Sequence, residues 1–333
     1  MIVKYVGAIF IGFIITISIL PILIVFLCKQ KMQQNILSYV TMHKDKAGTP
    51  TMGGIAFIIA ITIATLMFVR GFNSLSIMAI VVMVAFSMIG FLDDFIKFKF
   101  KRNLGLRPYQ KIIAQLIISI VVAIFAYKSE YVGPIVNVPL TRLSVDFGWF
   151  VIPFIVFVFL ATTNSVNLTD GLDGLASLTS VNFLLTFAFC LLIQLQVRLD
   201  GINSLMLNEY SNILIVCWAS VGALIGFLLF NFNPASVFMG DTGSLGLGGL
   251  IASIMIFTRN SLFIPIIGLC FVVSSVSVMI QVAYFKLTKR RVFLMAPLHH
   301  HFEKKGFKET KIVVCYAILT FMMGLLCLLF ELA

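Results

Sequence analysis

The sequence predicts an all-α polytopic integral membrane protein with ten transmembrane helices. Of its 333 residues, 60% are hydrophobic and only 11% are charged, so there are too few polar side chains to cover a soluble globule. Apolar runs about as long as a bilayer is thick recur along the whole chain. Because lipid cannot satisfy the open edge of a β-sheet, these runs must be helices.

The apolar runs set the order of the predicted spans, which cover residues 5–27, 52–69, 75–92, 112–128, 148–163, 175–195, 210–230, 244–258, 262–285 and 312–331. The first run is too long for a signal-peptide core and has no small-x-small cleavage site, so it is predicted to be a retained helix. The ninth contains Pro265, and the sequence leaves open whether this helix is broken. The simplest organisation is one transmembrane domain over residues 1–333.

The segments between spans differ in charge. With both termini on the outer face, the predicted cytoplasmic loops are residues 28–51, 93–111, 164–174, 231–243 and 286–311, and they hold eighteen of the 24 Lys and Arg residues. This bias follows the positive-inside rule. The net charge of +11 therefore reflects topology rather than nucleic-acid binding, and it also suits anionic lipid and an anionic substrate.

The outer segments are short. Residues 129–147 alternate apolar and polar side chains around two prolines and predict a hairpin, and residues 196–209 predict a short interfacial helix. The six cysteines lie in or beside predicted spans without a CxxC pair, as expected of small apolar core residues.

Five polar islands interrupt the apolar chain, and each falls in a different cytoplasmic loop. They are residues 46–54 (KAGTPTMGG), 93–94, 164–173 (NSVNLTDGLD), 231–244 (NFNPASVFMGDTGS) and 297–305 (PLHHHFEKK). Carboxylates at the membrane edge are costly and usually functional. Loops on one face can converge, so the islands predict one site on the cytoplasmic face.

Asp93 and Asp94 end the third span, where the helix dipole disfavours negative charge by a few tenths to ~1 kcal/mol. Adjacent carboxylates repel each other, and a divalent cation or a shared proton relieves the repulsion. The alternative interpretation is an ordinary charged helix boundary.

Asp170, Asp173 and Asp241 each precede or open a predicted span, so N-capping is an alternative explanation for all three. The Asp241-Thr-Gly-Ser sequence also occurs in aspartic proteases, but those are soluble β proteins with two such motifs. The glycines that follow Asp241 are predicted to allow close helix packing rather than to form a phosphate loop.

His299, His300 and His301 lie beside lysines, a combination that suits phosphates or a nucleotide. Three consecutive histidines on a helix cannot face one metal, so a zinc site is a weak alternative, and a solvated polar loop is the other. The island at 46–54 carries a lysine, threonines and glycines that favour anion binding. Acids for a divalent cation, with basic groups for an anion, predict Mg²⁺-dependent phosphoryl transfer onto a lipid.

The five islands resemble the phospho-N-acetylmuramoyl-pentapeptide-transferase family, within the polyprenyl-phosphate N-acetylhexosamine-1-phosphate transferases. The matching stretches are KAGTPTMGG, GFLDDFIK, NSVNLTDGLDGL, NFNPASVFMGDTGSLGLGG and PLHHHFEKKG. The resemblance implies a multi-pass enzyme of the bacterial inner (cytoplasmic) membrane, expected to be a homodimer. It would need Mg²⁺, use UDP-N-acetylmuramoyl-pentapeptide and undecaprenyl phosphate, and release lipid I and UMP. No nucleic-acid partner is expected.

The resemblance also implies roles for individual residues. Asp241 would be a Mg²⁺ ligand and, with Asp93 and Asp94, a catalytic residue at the reacting phosphates. The substrate-binding residues implied are Lys46, Thr51, Lys97, Lys111, Asn164, Asp170, Asp173, Asn231, Phe238, His299, His300 and His301. Within this set Asn231 and Phe238 would contact uridine, with the ring of Phe238 stacked on the base.

Two rival classes are weighed against this interpretation. A transporter predicts charges near span centres and broken helices in paired halves, whereas the predicted spans are nearly free of charge. A related transferase moving N-acetylglucosamine-1-phosphate is the enzyme alternative, and the triple-histidine loop argues for the muramoyl branch. The role of Asp93 stays open between a base that orients the lipid phosphate and a covalent nucleophile.

Overall fold

A computed structural model describes residues 2–30, 48–69, 71, 74–100, 105–141, 143–197 and 204–332. Lys46, one of the predicted substrate-binding residues, lies outside the described residues.

The described chain forms an all-α bundle with one small hairpin. Its helices are α1 (Ile2–Lys29), α2 (Gly54–Phe68), α3 (Leu75–Lys99), α4 (Pro108–Lys128), α5 (Val151–Thr169), α6 (Leu175–Val197), α7 (Ser204–Asn231), α8 (Gly240–Phe257), α9 (Ile264–Ile267), α10 (Leu269–Thr288), α11 (Leu298–Lys304) and α12 (Glu309–Leu332). Strands β1 (Ile135–Asn137) and β2 (Ser144–Asp146) pair antiparallel, with Val136 opposite Val145. The predicted hairpin at 129–147 is confirmed.

Nine of the ten predicted spans each overlap one apolar helix, and the ninth overlaps α9 and α10. Within the described ranges, nine helices are long and apolar enough to cross a membrane. The tenth, α2, has 15 residues and is about 22 Å long, shorter than the ~30 Å hydrocarbon core. The polytopic all-α class is therefore confirmed.

The structure answers one question that the sequence left open and differs in detail from one prediction. The ninth span is interrupted at Gly268, which separates α9 from α10. Residues 204–209 form the first turns of α7 instead of a separate interfacial helix, and residues 198–203 are outside the described part. The start of α7 is thus more regular than its mixed composition suggested.

Helix α8 lies at the centre of the bundle, against α3 and α5. A Cβ added to Gly246 would collide with Ser87 Oγ on α3, and one added to Gly248 would lie 2.6 Å from Thr163 Cα on α5. Larger side chains would push these helices apart, so the prediction that the α8 glycines allow close packing is confirmed.

The up-and-down course of the chain brings together the helix ends that carry the polar islands. The C-terminal ends of α3 and α5 meet the N-terminal ends of α4 and α8, as shown by side-chain bonds that join Lys97, Lys111 and Asn167 to Asp241. At the same end, Ser177 near the start of α6 binds Asn231 at the end of α7. The polar islands therefore meet at one end of an apolar bundle.

Candidate active site

Three carboxylates form the centre of the site. Asp93, Asp94 and Asp241 each offer an oxygen, and these oxygens lie within 4.8 Å of one another. Asp93 and Asp94 are 3% and 4% exposed, while the side chain of Asp241 is 19% exposed. Asp241 is thus the carboxylate most open to a ligand.

Asp94 binds the beginning of α8. Its Oδ2 accepts hydrogen bonds from the Thr242 amide (2.9 Å) and the Thr242 hydroxyl (2.7 Å), and its Oδ1 accepts one from the Asp241 amide (3.3 Å). These amides belong to the first turn of α8, whose dipole favours a negative charge. The end of α3 therefore caps α8 and compensates for the unfavourable position of Asp94 on its own helix.

Asp241 does not cap its own helix, so the capping interpretation of this residue is wrong. Its Oδ2 accepts hydrogen bonds from Lys97 Nζ at 3.0 Å and Lys111 Nζ at 2.9 Å, and its Oδ1 accepts one from Asn167 Nδ2 at 2.8 Å. The Asn167 amide also donates to Ser244 Oγ at 2.8 Å. Residues of α3, α4 and α5 thus fix the carboxylate.

Asp93 contacts the segment that leads into α4. Its Oδ1 accepts a hydrogen bond from the Leu106 amide at 2.8 Å, and its Oδ2 lies 2.6 Å from Lys97 Nζ. A Cβ added at Gly105 would lie 2.5–2.7 Å from the Asp93 carboxylate, so a side chain there would displace it. Lys97, 3.8 Å from Asp94 Oδ1, contacts all three carboxylates.

The donor set fits a magnesium ion. Mg²⁺ prefers oxygen ligands and binds proteins through one or two carboxylates together with substrate phosphates. Asp241 supplies a partly exposed carboxylate, and Asp93 and Asp94 add oxygens within 4.8 Å of it. Lys97 and Lys111 add positive charge suited to phosphate.

The island at 46–54 lies beside the carboxylates, as far as it is described. Phe238 donates its amide to Pro50 O at 2.9 Å and accepts a hydrogen bond from the Gly53 amide at 2.8 Å. Gly240 has a φ of +71°, and a Cβ there would lie 2.6 Å from Asp94 Oδ2 and 2.8 Å from Thr51 Oγ1. Thr51 and the half-buried Phe238 therefore border the site.

Two predicted substrate-binding amides have protein partners. Asn231 is 2% exposed, accepts a hydrogen bond from Ser177 Oγ at 2.8 Å and donates to Val237 O at 3.0 Å. Asn164 donates to Gln115 Oε1 and to Leu160 O, both at 2.8 Å. These contacts brace the helices around the site, and a direct role in binding nucleotide stays a prediction.

Asp170 and Asp173 have different surroundings. Burial, followed by the negative charges of Asp241, Asp94 and Asp173, raises the pKa of Asp170 well above its ordinary value. Asp173 accepts hydrogen bonds at Oδ2 from Asn233 Nδ2 (3.2 Å) and the Ala235 amide (3.0 Å). Asp170 thus belongs electrostatically to the carboxylate cluster, whereas Asp173 holds the loop that leads into α8.

The histidine island meets the 164–173 island. His299 is fully buried, and a Cβ added at Gly171 would collide with His299 Nε2 and would lie 3.0 Å from His300 Nε2. His300 Nδ1 lies 2.9 Å from Glu303 Oε2, and His301 Nδ1 accepts a hydrogen bond from the Leu294 amide at 3.1 Å. His299 and His300 thus approach the same glycine, whereas His301 bonds to the segment before α11, so the three rings do not face one zinc site.

Sequence reasoning missed Asn167, Thr242 and Glu309 as members of this site. Asn167 is three residues after Asn164, and on a helix that spacing places the two side chains on one face. It is the signal that would have found Asn167. Thr242 and Glu309 make long-range contacts, and no pattern around them in the sequence predicts their partners.

Comparisons with known proteins agree with this arrangement. A family described as glycosyl transferase family 4 matches residues 75–259, and phospho-N-acetylmuramoyl-pentapeptide-transferase signature 1 matches residues 46–58. The relative from Clostridium perfringens (strain 13 / Type A), named phospho-N-acetylmuramoyl-pentapeptide-transferase, is 45% identical over 95% of both chains. Relatives with the same name from Clostridium novyi (strain NT) and Clostridioides difficile (strain 630) are 42% and 43% identical, over 96% and 93% of this chain and 94% and 92% of theirs.

The helix bundle, its carboxylate site and the family 4 match define a membrane-embedded glycosyl transferase. The similarity of the chain to these relatives extends over nearly its full length, and it decides which family within this class the chain belongs to. The chain belongs to the phospho-N-acetylmuramoyl-pentapeptide-transferase family.

Proposed function

We propose that the protein transfers phospho-N-acetylmuramoyl-pentapeptide from its UDP-nucleotide to undecaprenyl phosphate, giving lipid I and UMP in peptidoglycan biosynthesis. The supporting observation is the cluster of Asp93, Asp94 and Asp241 with Lys97 and Lys111 at helix ends of an apolar bundle, in a chain of this family. The protein would act in the bacterial inner membrane as a homodimer. It would have ten spans, outer termini and a cytoplasmic site.

In this reaction an oxygen of the lipid phosphate forms a bond to the β-phosphorus of the nucleotide. The bond from that phosphorus to the bridging oxygen breaks, and UMP leaves with the electron pair. Both reactants are anions, so their repulsion must be reduced for the atoms to approach. Bound Mg²⁺ supplies charge neutralisation for the diphosphate.

Asp241 would hold the metal ion, because it is the most exposed of the three carboxylates and is oriented by Asn167. Lys97 and Lys111, which approach the same oxygen of Asp241 at 3.0 and 2.9 Å, would bind phosphate oxygens. Asp94 uses both oxygens on α8, so its part in catalysis would be to position Asp241.

Asp93 would orient or deprotonate the lipid phosphate, with covalent attack on the β-phosphorus as the alternative. The 2.6 Å contact of Asp93 Oδ2 with Lys97 Nζ supports this role, because Lys97 is proposed to bind phosphate. Asp93→Asn keeps the shape of the side chain but removes the base and the nucleophile. Near-normal turnover of this variant, with intact Mg²⁺ binding, would contradict both roles.

The nucleotide would lie between the Asp170–Asp173 segment and Phe238, with the histidine island beside it. Phe238 is half-buried and stands on a backbone segment held by Pro50 and Gly53. A ring fixed in this way loses little freedom when a base stacks on it.

The deciding experiment supplies purified protein with Mg²⁺, undecaprenyl phosphate and one UDP-sugar at a time, and measures UMP release. We expect UMP to be released only when the UDP-sugar supplied is UDP-N-acetylmuramoyl-pentapeptide. Release only from UDP-N-acetylglucosamine would replace the proposal with the related N-acetylglucosamine-1-phosphate transfer. A reaction without undecaprenyl phosphate provides the control for background UMP release.

A further inference from the structure

Glu309, the first residue of α12, joins two loops that no single helix connects. Its Oε1 accepts a hydrogen bond from the Asp173 amide at 2.6 Å, and its Oε2 accepts one from Asn233 Nδ2 at 3.1 Å. An acid in the first turn of a helix is ordinarily explained by the helix dipole alone. Here both carboxylate oxygens bind residues from other elements.

The Glu309 contacts belong to a closed set of hydrogen bonds. Asn233 Nδ2 also donates to Asp173 Oδ2 at 3.2 Å, and the Ala235 amide donates to the same oxygen at 3.0 Å. The carboxylates of Asp173 and Glu309 share the amide group of Asn233, so Asn233 is held from two sides. The loop between α7 and α8 is thereby fastened to the loop between α5 and α6.

The fastened loop carries the groups proposed to bind the nucleotide. Five residues after Asn233 comes Phe238, whose backbone pairs with Pro50 and Gly53, and three residues further is Asp241. The opposite loop carries Asp170 and Asp173. The bonds of Glu309, together with those of the Asp173 carboxylate, therefore hold together the two sides between which the uridine nucleotide would lie.

We infer that Glu309 is a positioning residue that fixes the width of the nucleotide cleft. The inference rests on the proposed function for the identity of the nucleotide. Lys97, Lys111 and the three central carboxylates are held by bonds that do not involve Glu309. Loss of Glu309 should thus weaken nucleotide binding more than it slows the chemical step.

The test compares Glu309→Gln with Glu331→Gln. Glu331 lies near the other end of the same helix and accepts one hydrogen bond from Gln194 at 2.9 Å, so it is a matched carboxylate away from the site. In Glu309→Gln one carboxylate oxygen becomes an NH₂ group, and both partners of Glu309, the Asp173 amide and Asn233 Nδ2, are donors. Whichever way the new amide faces, one of these two hydrogen bonds is lost while the side-chain volume is kept.

For Glu309→Gln we expect the KM for the UDP-substrate to rise about tenfold, the loss of roughly one charge-assisted hydrogen bond. The kcat and the KM for undecaprenyl phosphate should change less than about threefold on the same reasoning. The Kd of UMP, measured by calorimetry without lipid, should rise with the KM. Glu331→Gln should leave all four quantities unchanged.

A double-mutant cycle with Asn233→Ala gives a second measurement. Because Asn233 is the shared partner, Glu309→Gln should add little to the rise in UMP Kd that Asn233→Ala causes. Additive effects, or a lower kcat with an unchanged UMP Kd, would overturn the inference. If the wild type binds UMP but does not turn over the proposed substrate, the proposed function fails, and the UMP Kd values still test Glu309.

Discussion

Replacement of Asp94 should show whether this residue acts on the substrate or on α8. Three hydrogen bonds reach its carboxylate, two from the amides of Asp241 and Thr242 and one from the Thr242 hydroxyl. Hydrogen bonds to charged groups contribute about 1.5–3 kcal/mol each. Asp94→Asn removes the charge and turns one acceptor into a donor, so we expect a loss of at least about 3 kcal/mol in unfolding free energy.

Thr242→Val is the matched partner variant because it removes only the hydroxyl bond at 2.7 Å and keeps both amide bonds. It should lose about 1.5–3 kcal/mol, and Thr242→Ser should lose little of that. Each kcal/mol lowers the melting temperature of chains of 150–250 residues by roughly 2–4 °C. Thermal unfolding of detergent-purified protein, with UMP release measured beside it, gives both quantities.

In the expected result, melting temperature and kcat fall together, further for Asp94→Asn than for Thr242→Val. Both quantities fall because both variants loosen the start of α8, which carries Asp241. If Asp94→Asn abolished turnover at an unchanged melting temperature, and Thr242→Val changed neither, Asp94 would act on the substrate directly. That outcome would refute the capping argument.

Three further predictions concern other parts of the site. EDTA should abolish UMP release. Asp241→Asn should raise the Mg²⁺ concentration for half-maximal activity at least about tenfold, whereas Glu331→Gln should leave it unchanged. An equal Mg²⁺ requirement in both variants would count against Asp241 as the ligand. Gly90→Ala would place a Cβ against the backbone carbonyl of Asp241, so α3 and α8 must separate. About 1–3 kcal/mol of unfolding free energy should be lost. An unchanged unfolding curve would contradict this packing. The pKa of Asp170 is raised in the folded protein, so the fold favours the protonated carboxyl group. The resulting contribution to the free energy of unfolding is present below the unfolded pKa of about 3.9 and is lost as the pH rises through the raised folded pKa. Asp170→Asn should therefore raise the melting temperature relative to wild type at pH 8 but not near pH 3.5; the same difference at both pH values would contradict the argument.

The helices could be predicted from the sequence because a run of apolar residues in lipid has one regular solution. The convergence of the islands followed from counting spans and positive charges, and the structure brings their described residues to one end of the bundle. Lys111, which the family resemblance implies as a substrate-binding residue, lies 2.9 Å from Asp241 Oδ2. Local pattern, topology and the resemblance were sufficient for these features.

The partners of each carboxylate could not be predicted in this way. The bond from Asp94 to Thr242 joins residues 148 positions apart, and that from Glu309 to Asp173 joins residues 136 apart. An N-capping residue looks the same in sequence whether it caps its own helix or another one. The capping interpretation was therefore right about the start of α8 and wrong about which aspartate supplies the cap.

Because the central carboxylates stand at the ends of long helices, their spacing depends on how those helices tilt. Helix α3 has 25 residues, and a tilt of about 5° around its midpoint would move its end by roughly 1.6 Å. Misplacement by about 1 Å can cost roughly 100-fold in rate. Helix tilt responds to hydrocarbon thickness, and the short α2 is one place where helix length and bilayer thickness differ. We therefore expect turnover to depend on the acyl-chain length of the surrounding lipid, although no acyl chain need enter the site.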